Sequence, residues 1–327
     1  MLKDLFMGLS QNQFLNHAAK KYGLKMGARS VVAGTNIPEV IKSIKELNAQ
    51  GISCTVDNLG EFIFNEEEAT AAKEQILKVI EAIHQNQANA HISIKPTQVG
   101  LDIDYTFCLN NIREIVEKAS LNDMFVNLDM EDFKHLELTF QLLDDLSMEY
   151  NNIGTVIQAY FHKAMDYLEK YENYRLRLVK GAYKESEEIA YQDKKDIDAN
   201  FIKLIEWHLL NGKFTSIATH DHRIIDYVKE FVKSHNIPND QFEFQMLYGF
   251  RKELQQQLAW EGYNFCTYVP FGHDWYGYFM RRLAERPQNL NLVAKQVFNK
   301  KTNTIIGVAA GAFLLGRMTK SNKKKRK

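Results

Sequence analysis

Eight short runs of β-forming residues recur along the chain, and longer stretches with helical spacing separate them. Several runs are too apolar to leave one face in water, which is typical of parallel strands covered by helices. This alternation predicts an α/β fold, a TIM-like (βα)8 barrel with extra helices before the first strand. A doubly wound open sheet is the alternative. The runs lie at residues 53–57, 91–95, 125–129, 155–161, 175–180, 216–220, 243–248 and 265–269.

The stretches between the runs have the apolar spacing and the residue types of amphipathic helices. The clearest lie at residues 66–86, 105–118, 132–150, 196–211 and 221–235. No Pro/Gly/Ser-rich linker interrupts the middle of the 327-residue chain. We therefore expect a helical segment over residues 1–50 that packs on the barrel, one catalytic barrel over residues 51–300, and an apolar run with a basic tail over residues 301–327.

The net charge of zero hides an asymmetry between the body and the tail. Residues 317–327 hold seven Lys/Arg and no acid, so the remainder has 34 basic and 41 acidic residues, a net of −7. An acidic body argues against general nucleic-acid binding. The three cysteines are far apart and form no CxxC pair, which fits a reducing compartment and predicts neither a disulfide framework nor a metal site. With no signal peptide in the first residues, we expect a cytoplasmic protein.

In a (βα)8 barrel the active site lies at the carboxyl ends of the strands. Polar or charged side chains lie at or near the ends of the eight runs, where simple turns would more often carry Gly, Asn or Ser. This concentration predicts a lined pocket. The side chains are Asp57 with Glu61 just after it, Lys95, Asp129, Gln158, Arg177 with Lys180, Thr219 with His220 and Asp221, Gln245 with Tyr248, and Tyr268.

Arg177 lies inside a β-like run, Arg177-Leu-Val-Lys180-Gly181. Residues 177 and 179 share one strand face, and a charged residue is rarely buried without a partner. Arg177 therefore needs either a bound group or a salt bridge inside the barrel, and the sequence leaves both open. Gly181 permits a close approach of the backbone to a phosphate or a flat ring.

Lys95 and Asp129 end the second and third runs. Lys95 has the chemistry either to hold an anion or to form a Schiff base, as in a barrel aldolase, and Lys180 is a second lysine for that chemistry. Asp129 is a candidate proton acceptor or orienting partner, and a helix N-cap is the alternative. The motifs of Rossmann and P-loop nucleotide sites and of HExxH zinc sites are absent, and the ten histidines show no metal spacing.

The eighth run breaks at Pro270 and Gly272, and the helix-like segment after it carries Arg281 and Arg282. Paired arginines just past a strand end predict a grip on a small anion, because guanidinium forks match carboxylate and phosphate. A solvated helix face is the alternative. Glu285, four residues after Arg281, shares its face and supports its orientation.

Eight motifs follow one another over residues 50–290: IKPTQVGL, VNLDMED, VIQAYF, RLVKGAY, ATHD, FEFQMLYG, YVPFG and FMRRLAERPQN. In this order they resemble the motif series of proline dehydrogenases of the monofunctional bacterial type. The resemblance implies a distorted (βα)8 barrel that binds FAD non-covalently and oxidises L-proline to Δ1-pyrroline-5-carboxylate. It also implies a quinone as electron acceptor and a place as the first step of proline catabolism to glutamate.

The same resemblance implies the role of individual residues. The substrate's carboxylate is expected at Arg281, Arg282 and Lys95, its ring against Tyr268, and Glu61 pairs with Arg281 when the site closes. Catalysis is expected at Arg177 near flavin N5, with Asp129 and Tyr183 close by. The residues expected around FAD are Gln158 at the pyrimidine edge, Met130 along the cofactor, and Lys180, Gly181, Ala182, Thr219 and His220 at its remaining parts.

An apolar run over residues 304–316 precedes the basic tail. Its thirteen residues are too few for a membrane span of about twenty. An apolar segment beside polybasic residues predicts peripheral contact with the anionic inner face of the cell membrane. That contact suits an enzyme that reduces a membrane quinone, and a final packing helix with a frayed tail is the alternative. A Schiff-base lyase and a non-enzymatic membrane-binding protein are the other functions the sequence leaves open.

Overall fold

Eight parallel strands pair in chain order, and the last returns to the first to close a barrel. The computed structural model describes residues 28–60 and 63–279. The predicted (βα)8 barrel is confirmed, and the open sheet is excluded. The strands are β1 Ser53–Asn58, β2 Ala90–Ile94, β3 Val126–Leu128, β4 Ile153–Gln158, β5 Arg175–Val179, β6 Phe214–Ala218, β7 Phe242–Leu247 and β8 Phe265–Phe271.

Among the described residues, one α-helix precedes β1 and one follows each of the strands β1 to β7. The five predicted helices are present, and α5 and α8 complete the alternation. The helices are α1 Ile37–Asn48, α2 Glu66–Gln85, α3 Tyr105–Ser120, α4 Phe133–Ser147, α5 Ala164–Lys170, α6 Lys194–Asn211, α7 His222–Ser234 and α8 Lys252–Trp260. In the described ranges, no helix is long and apolar enough to cross a membrane.

Asx side chains start the first three helices. The side chains of Asn36, Asn65 and Asp104 each accept a hydrogen bond from the backbone N–H three residues on, at 2.8–3.0 Å. Such caps satisfy N–H groups that have no partner within the helix and stabilise it by about 1 kcal/mol each. They fix where α1, α2 and α3 begin, and therefore how long the loops above β1 and β2 are.

Residues of several strands, β3 and β5 among them, alternate between apolar and polar rather than between buried and exposed. Val56 and Ile94 belong to one apolar core with the buried faces of the helices, as do Leu176 and Leu178 of β5. The side chains at the alternate positions point into the barrel. There they are also buried, so the interior has to satisfy them with one another.

The prediction that the eighth run breaks at Pro270 is wrong, because β8 continues to Phe271. Proline is tolerated there because β7 pairs with β8 only as far as Leu247 and Tyr268. The N–H that Pro270 lacks has no ladder carbonyl to bond beyond that point. The carbonyl of Pro270 still accepts from the N–H of Ala33, at 2.9 Å. The chain turns at Gly272, whose φ is +125°.

All eight strands lie within Ser30–Trp275, which form one compact unit with helix α1. Of the other unit, Met1–Arg29 with Tyr276–Lys327, the structure describes residues 28–29 and the helical residues 276–279. The predicted boundaries near residues 50 and 300 stay predictions.

Candidate active site

Polar side chains two residues apart line the interior of four strands. Because side chains alternate along a strand, residues at this spacing share one face. The pairs are Thr55 and Asp57 of β1, Ser93 and Lys95 at β2, Asn127 and Asp129 at β3, and Arg175 and Arg177 of β5. The second member of each pair lies nearer the carboxyl end of its strand, where barrel active sites are built.

Arg177 is 5% exposed and crosses the barrel from β5 to the opposite strand, β1. One terminal nitrogen, Nη1, donates to Asp129 Oδ1 at 2.7 Å and to Ser93 Oγ at 3.0 Å. The other, Nη2, donates to Thr55 Oγ1 at 3.1 Å. The interior salt bridge, one of the two alternatives for Arg177, is therefore present.

Asp129 accepts hydrogen bonds at both oxygens. Oδ1 receives the Ser93 hydroxyl at 2.5 Å and the Asn127 amide at 3.1 Å, in addition to Arg177. Oδ2 lies 2.8 Å from the Tyr268 hydroxyl and 3.6 Å from Lys95 Nζ. Burial opposes ionisation, yet the charges of Arg177 and Lys95 outweigh it and lower the pKa of Asp129. The N-cap alternative is wrong, because Asp132 occupies the cap position of α4.

Lys95, Asp57 and Tyr268 form a second group beside Asp129. Lys95 Nζ donates to Asp57 Oδ2 at 2.7 Å and lies 3.4 Å from the Tyr268 hydroxyl. That hydroxyl is also 2.8 Å from Asp57 Oδ2. Burial, reinforced by the charge of Asp129, raises the pKa of Asp57 although Lys95 opposes the shift. Burial and the same two carboxylates raise the pKa of Tyr268 well above its usual value.

Gln158 and Met130 lie beside this cluster, at the carboxyl ends of β4 and β3. Gln158 ends β4 and is 4% exposed, and its amide nitrogen donates to the carbonyl of Glu131 at 3.1 Å. Its buried Oε1 has no hydrogen-bond partner among the described residues. Met130 is 6% exposed and directly follows Asp129. A buried amide acceptor of this kind is suited to an N–H donor of a bound molecule.

Lys180 lies on the strand face opposite Arg177 and turns toward α6. It forms an ion pair with Asp198 and lies 3.9 Å from Asp221 Oδ2. Nearby, Thr219 Oγ1 accepts from the N–H of Asp221 at 3.1 Å, and His220 Nε2 accepts from the N–H of Leu247 at 3.1 Å. The predicted FAD residues of β5 and β6 thus form a rim group, distinct from the interior cluster around Arg177.

The loop after β5 carries Gly181, Ala182 and Tyr183. Gly181 has φ +104°, and a Cβ there would lie 2.5 Å from the ring of Tyr160. The ring that closely approaches the Gly181 backbone in this structure is therefore that of Tyr160. Ala182 is exposed, and Tyr183 is 42% exposed. Glu61, Arg281, Arg282 and Glu285 lie outside the described residues, as does the tail.

A second ionic group, which was not predicted from the sequence, lies at the amino end of the barrel. Arg175 donates to Glu243 Oε1 at 2.7 Å, and the same oxygen accepts from Ser216 at 2.7 Å and Gln245 at 2.6 Å. The guanidinium lies 4.6 Å from the ring centroids of both Phe125 and Phe214. From the sequence, Asp57 was predicted only as a strand end, and Thr55, Ser93 and Asn127 were not predicted as site residues. Each of these three lies two residues before a charged residue at a strand end, and this spacing indicates that both side chains share the inward face of the strand.

A (βα)8 barrel with ionised and hydrogen-bonded groups buried at its carboxyl end belongs to the class of barrel enzymes. Residues 40–295 match the family model described as proline dehydrogenase. The chain belongs to the proline dehydrogenase family, oxidoreductases of proline catabolism, and its full-length relatives are of the monofunctional bacterial type.

Two relatives match over most of their length. Proline dehydrogenase 1 of Bacillus subtilis (strain 168) is 45% identical over 302 residues, which cover 92% of this chain and 100% of that protein. The proline dehydrogenase of Deinococcus radiodurans is 42% identical over 275 residues, 82% of this chain and 89% of that protein. A solved structure, proline utilization A from Bdellovibrio bacteriovorus inactivated by N-propargylglycine, aligns with a TM-score of 0.76 at 25% identity. That alignment covers 88% of this chain and 35% of the larger protein.

Proposed function

We propose that this chain oxidises L-proline to Δ1-pyrroline-5-carboxylate by hydride transfer to FAD, passes the electrons to a quinone, and so begins the conversion of proline to glutamate. Membership of the family supports the reaction. The observation that carries the proposal is the buried cluster of Arg177, Asp129, Lys95 and Tyr268 at the carboxyl end of the barrel. It offers cations to an anionic substrate and an aromatic ring to its apolar part.

The residues of the interior fit a flavin. The buried, unpartnered Oε1 of Gln158 is an acceptor that matches the N–H of the flavin's pyrimidine edge. Arg177 is a buried cation that favours negative charge on the reduced ring system. FAD, when bound, supplies the hydride acceptor. We assign its binding to Gln158, Met130 and Arg177 in the interior and to Lys180, Gly181, Ala182, Thr219 and His220 at the rim.

The substrate's carboxylate is its one strong handle. We assign it to Lys95 together with Arg281 and Arg282, with Tyr268 against the ring, Tyr183 near the site, and Glu61 and Glu285 supporting the arginines. The position of Lys95 at the carboxyl end of the barrel, with Nζ 3.4 Å from the Tyr268 hydroxyl, supports this assignment. A carboxylate held at fixed cations sets the distance of the reacting carbon from the hydride acceptor.

A Schiff-base lyase that uses Lys95 is the second candidate, because lysine at a barrel strand end has that chemistry. The geometry favours it less. Lys95 Nζ lies 2.7 Å from Asp57 and 3.6 Å from Asp129. An amine held between two carboxylates has to leave them before its nitrogen can attack a carbonyl.

One experiment separates the two candidates. The purified protein, mixed with L-proline without oxygen, is expected to show a flavin spectrum that bleaches. Electrons are then expected to pass to an added quinone. A colourless protein that borohydride traps with a carbonyl substrate would instead support the lyase.

We also propose that the apolar and basic residues 304–327 bring an otherwise cytoplasmic protein to the inner face of the membrane. Basic residues near an anionic surface contribute about 1 kcal/mol each. The full chain is expected to sediment with vesicles that contain anionic lipid and to lose this binding when residues 304–327 are deleted. Equal binding of the two proteins would remove the proposal.

A further inference from the structure

Asp57 is a buried acid that the proposed reaction does not use. It lies near the carboxyl end of β1 and is 1% exposed. Its Oδ2 receives Lys95 at 2.7 Å and lies 2.8 Å from the Tyr268 hydroxyl. Its Oδ1 is buried without a hydrogen-bond partner among the described residues. A buried carboxylate with an unsatisfied oxygen is energetically costly, and such groups are typical of functional sites.

The Tyr268 hydroxyl joins Asp57 to Asp129. Its oxygen lies 2.8 Å from Oδ2 of each carboxylate, yet a phenol has one proton to donate. At any moment it therefore donates to one acid and leaves its lone pairs toward the other. A proton on the second acid would complete that contact, since a protonated carboxyl donates to the phenol oxygen. The three groups form a continuous hydrogen-bonded path from the end of β3, through β8, to β1.

The two acids at the ends of this path are unequal. Asp129 faces Arg177 of β5 and Lys95 of β2, and these two cations outweigh its burial and lower its pKa. Asp57 faces Lys95 of β2, Tyr268 of β8 and Asp129 of β3, and burial raises its pKa. Paired acids whose environments separate their proton affinities are typical of acid–base machinery. A proton that enters at Asp129 is therefore more stable on Asp57.

We propose that Asp129, Tyr268 and Asp57 form a proton relay that removes the proton from the substrate's ammonium group and stores it on Asp57. This inference rests on the proposed oxidation of proline. The ammonium N–H bond breaks, its electron pair stays on nitrogen, and the proton passes to Asp129 Oδ2. That proton then moves to the Tyr268 oxygen while the phenolic proton moves to Asp57 Oδ2. Asp129 ends ionised, Tyr268 neutral and Asp57 protonated, until the proton returns to solvent as the product leaves.

The charges of the cluster explain why a proton store is needed there. Lys95 and Arg177 balance Asp57 and Asp129 before a substrate enters. The substrate's carboxylate adds a negative charge beside Lys95, which then has two anions to satisfy. Protonation of Asp57 removes the excess negative charge, and Lys95 can then pair with the substrate's carboxylate. The amine acquires the lone pair that assists hydride departure at the same time.

A binding measurement tests the storage step without turnover. The probe is cyclopentanecarboxylate, which has the ring and carboxylate of proline and no amine. Calorimetry of the holoenzyme in buffers of different ionisation enthalpy, from neutral to alkaline pH, counts the protons taken up on binding. We expect uptake that approaches about one proton per molecule in the native chain and none in Asp57→Asn. Equal uptake by the two proteins would overturn the proposal.

A kinetic measurement tests the transfer step. Asp57→Asn cannot take up the proton and Tyr268→Phe cannot pass it, although each keeps its size. Each is expected to slow anaerobic flavin bleaching by L-proline about 100-fold, the scale of acid–base assistance. The double variant is expected to be no slower than the slower single variant, because both changes break one path. Fully additive losses would mean separate positioning roles and would contradict the relay.

A matched pair outside the cluster serves as the control. The hydroxyl of Tyr171 donates to Asp144 at 3.0 Å, and neither residue contacts the cluster in the interior. Tyr171→Phe and Asp144→Asn are expected to bleach at the native rate. If native protein bleaches and both Asp57→Asn and Tyr268→Phe match it, only the relay fails. If native protein does not bleach with L-proline, the proposed function itself fails. Should Asp57→Asn not fold, Tyr268→Phe alone decides the transfer step.

Discussion

Arg175 and Arg177 point into the same barrel from the same strand, two residues apart, yet they enter different chemistry. Arg175 meets one acid, Glu243, and two aromatic rings at the amino end of the barrel. Arg177 contacts Asp129 in a cluster of two acidic residues, two cationic residues and a tyrosine at the carboxyl end. A buried ion pair alone is thus no sign of an active site. The signs are its end of the barrel and the unequal acids within it.

The largest effect is expected from Arg177→Met. It removes the cation that balances Asp129 and, under the proposed function, the charge next to the flavin. We expect kcat/KM for L-proline to fall about 100-fold to 1000-fold, the range for the loss of one electrostatic contact to a transition state. The assay is steady-state oxidation with a quinone acceptor, normalised to bound flavin. A loss below threefold would place Arg177 with Arg175 as a structural residue.

Arg175→Met probes the other side of the comparison. It leaves Glu243 buried with only neutral donors, and breaking such a pair destabilises the fold. We expect a loss of about 2 to 3 kcal/mol in the free energy of unfolding, less than for a fully buried pair because the Arg175 side chain is 24% exposed. Urea unfolding measures it. Activity per folded molecule is expected to stay within about twofold, and a loss matching that of Arg177→Met would erase the distinction.

His91 links the two arginines, because the charges of both affect its pKa. Burial, Arg175 and Arg177 together lower the pKa of His91 well below its usual value. The unfolded chain protonates at about pH 6.5 while the folded chain does not, so stability falls as the pH drops below that value. We expect His91→Gln to remove this component, up to about 1.4 kcal/mol per pH unit. Unfolding curves at mildly acidic and mildly alkaline pH measure it. Parallel pH dependences in the two proteins would contradict the assignment.

The smallest effect is expected at Gln158. Under the proposed function, Gln158→Leu removes one hydrogen bond to the flavin and leaves the apoprotein without a buried amide to satisfy. We expect flavin affinity to fall about tenfold, corresponding to about 1.4 kcal/mol. Titration of apoprotein with FAD, followed by fluorescence, measures it. A normal Kd with an unchanged apoprotein Tm would remove Gln158 from the cofactor site.

The sequence predicted the barrel because several of its β-runs are too apolar to leave a face in water, and stretches with helical spacing separate them. It also predicted which charges end the strands. It could not predict that Tyr268 meets Asp57, because that contact depends on β8 closing against β1, 211 residues apart in the chain. Pro270 was misjudged for a related reason. Whether a strand tolerates proline depends on where its neighbour ends, which is a property of the sheet.

The sequence could not separate Arg175 from Arg177 either. Both point inward from one β-run, and their acidic partners lie on other strands, tens of residues away in the chain. In register, Glu243 pairs with Ser216 and Ser216 pairs with Arg177, yet the Glu243 carboxylate accepts from Arg175. The strand register alone therefore does not decide which arginine each acid meets. Resemblance to a family carried the functional assignment at Arg177, and nothing in the chain's local pattern assigned Arg175.

The hydride step itself is the most direct test of the central claim, that the carboxyl-end cluster is catalytic and the amino-end ion pair is structural. Native protein, Arg175→Met and Arg177→Met, each loaded with flavin to the same occupancy, are mixed with saturating L-proline without oxygen. The rate of flavin bleaching is followed by stopped flow. We expect the native protein and Arg175→Met to bleach at the same rate, and Arg177→Met to bleach at least about 100-fold more slowly. Equal rates for the two variants would contradict it.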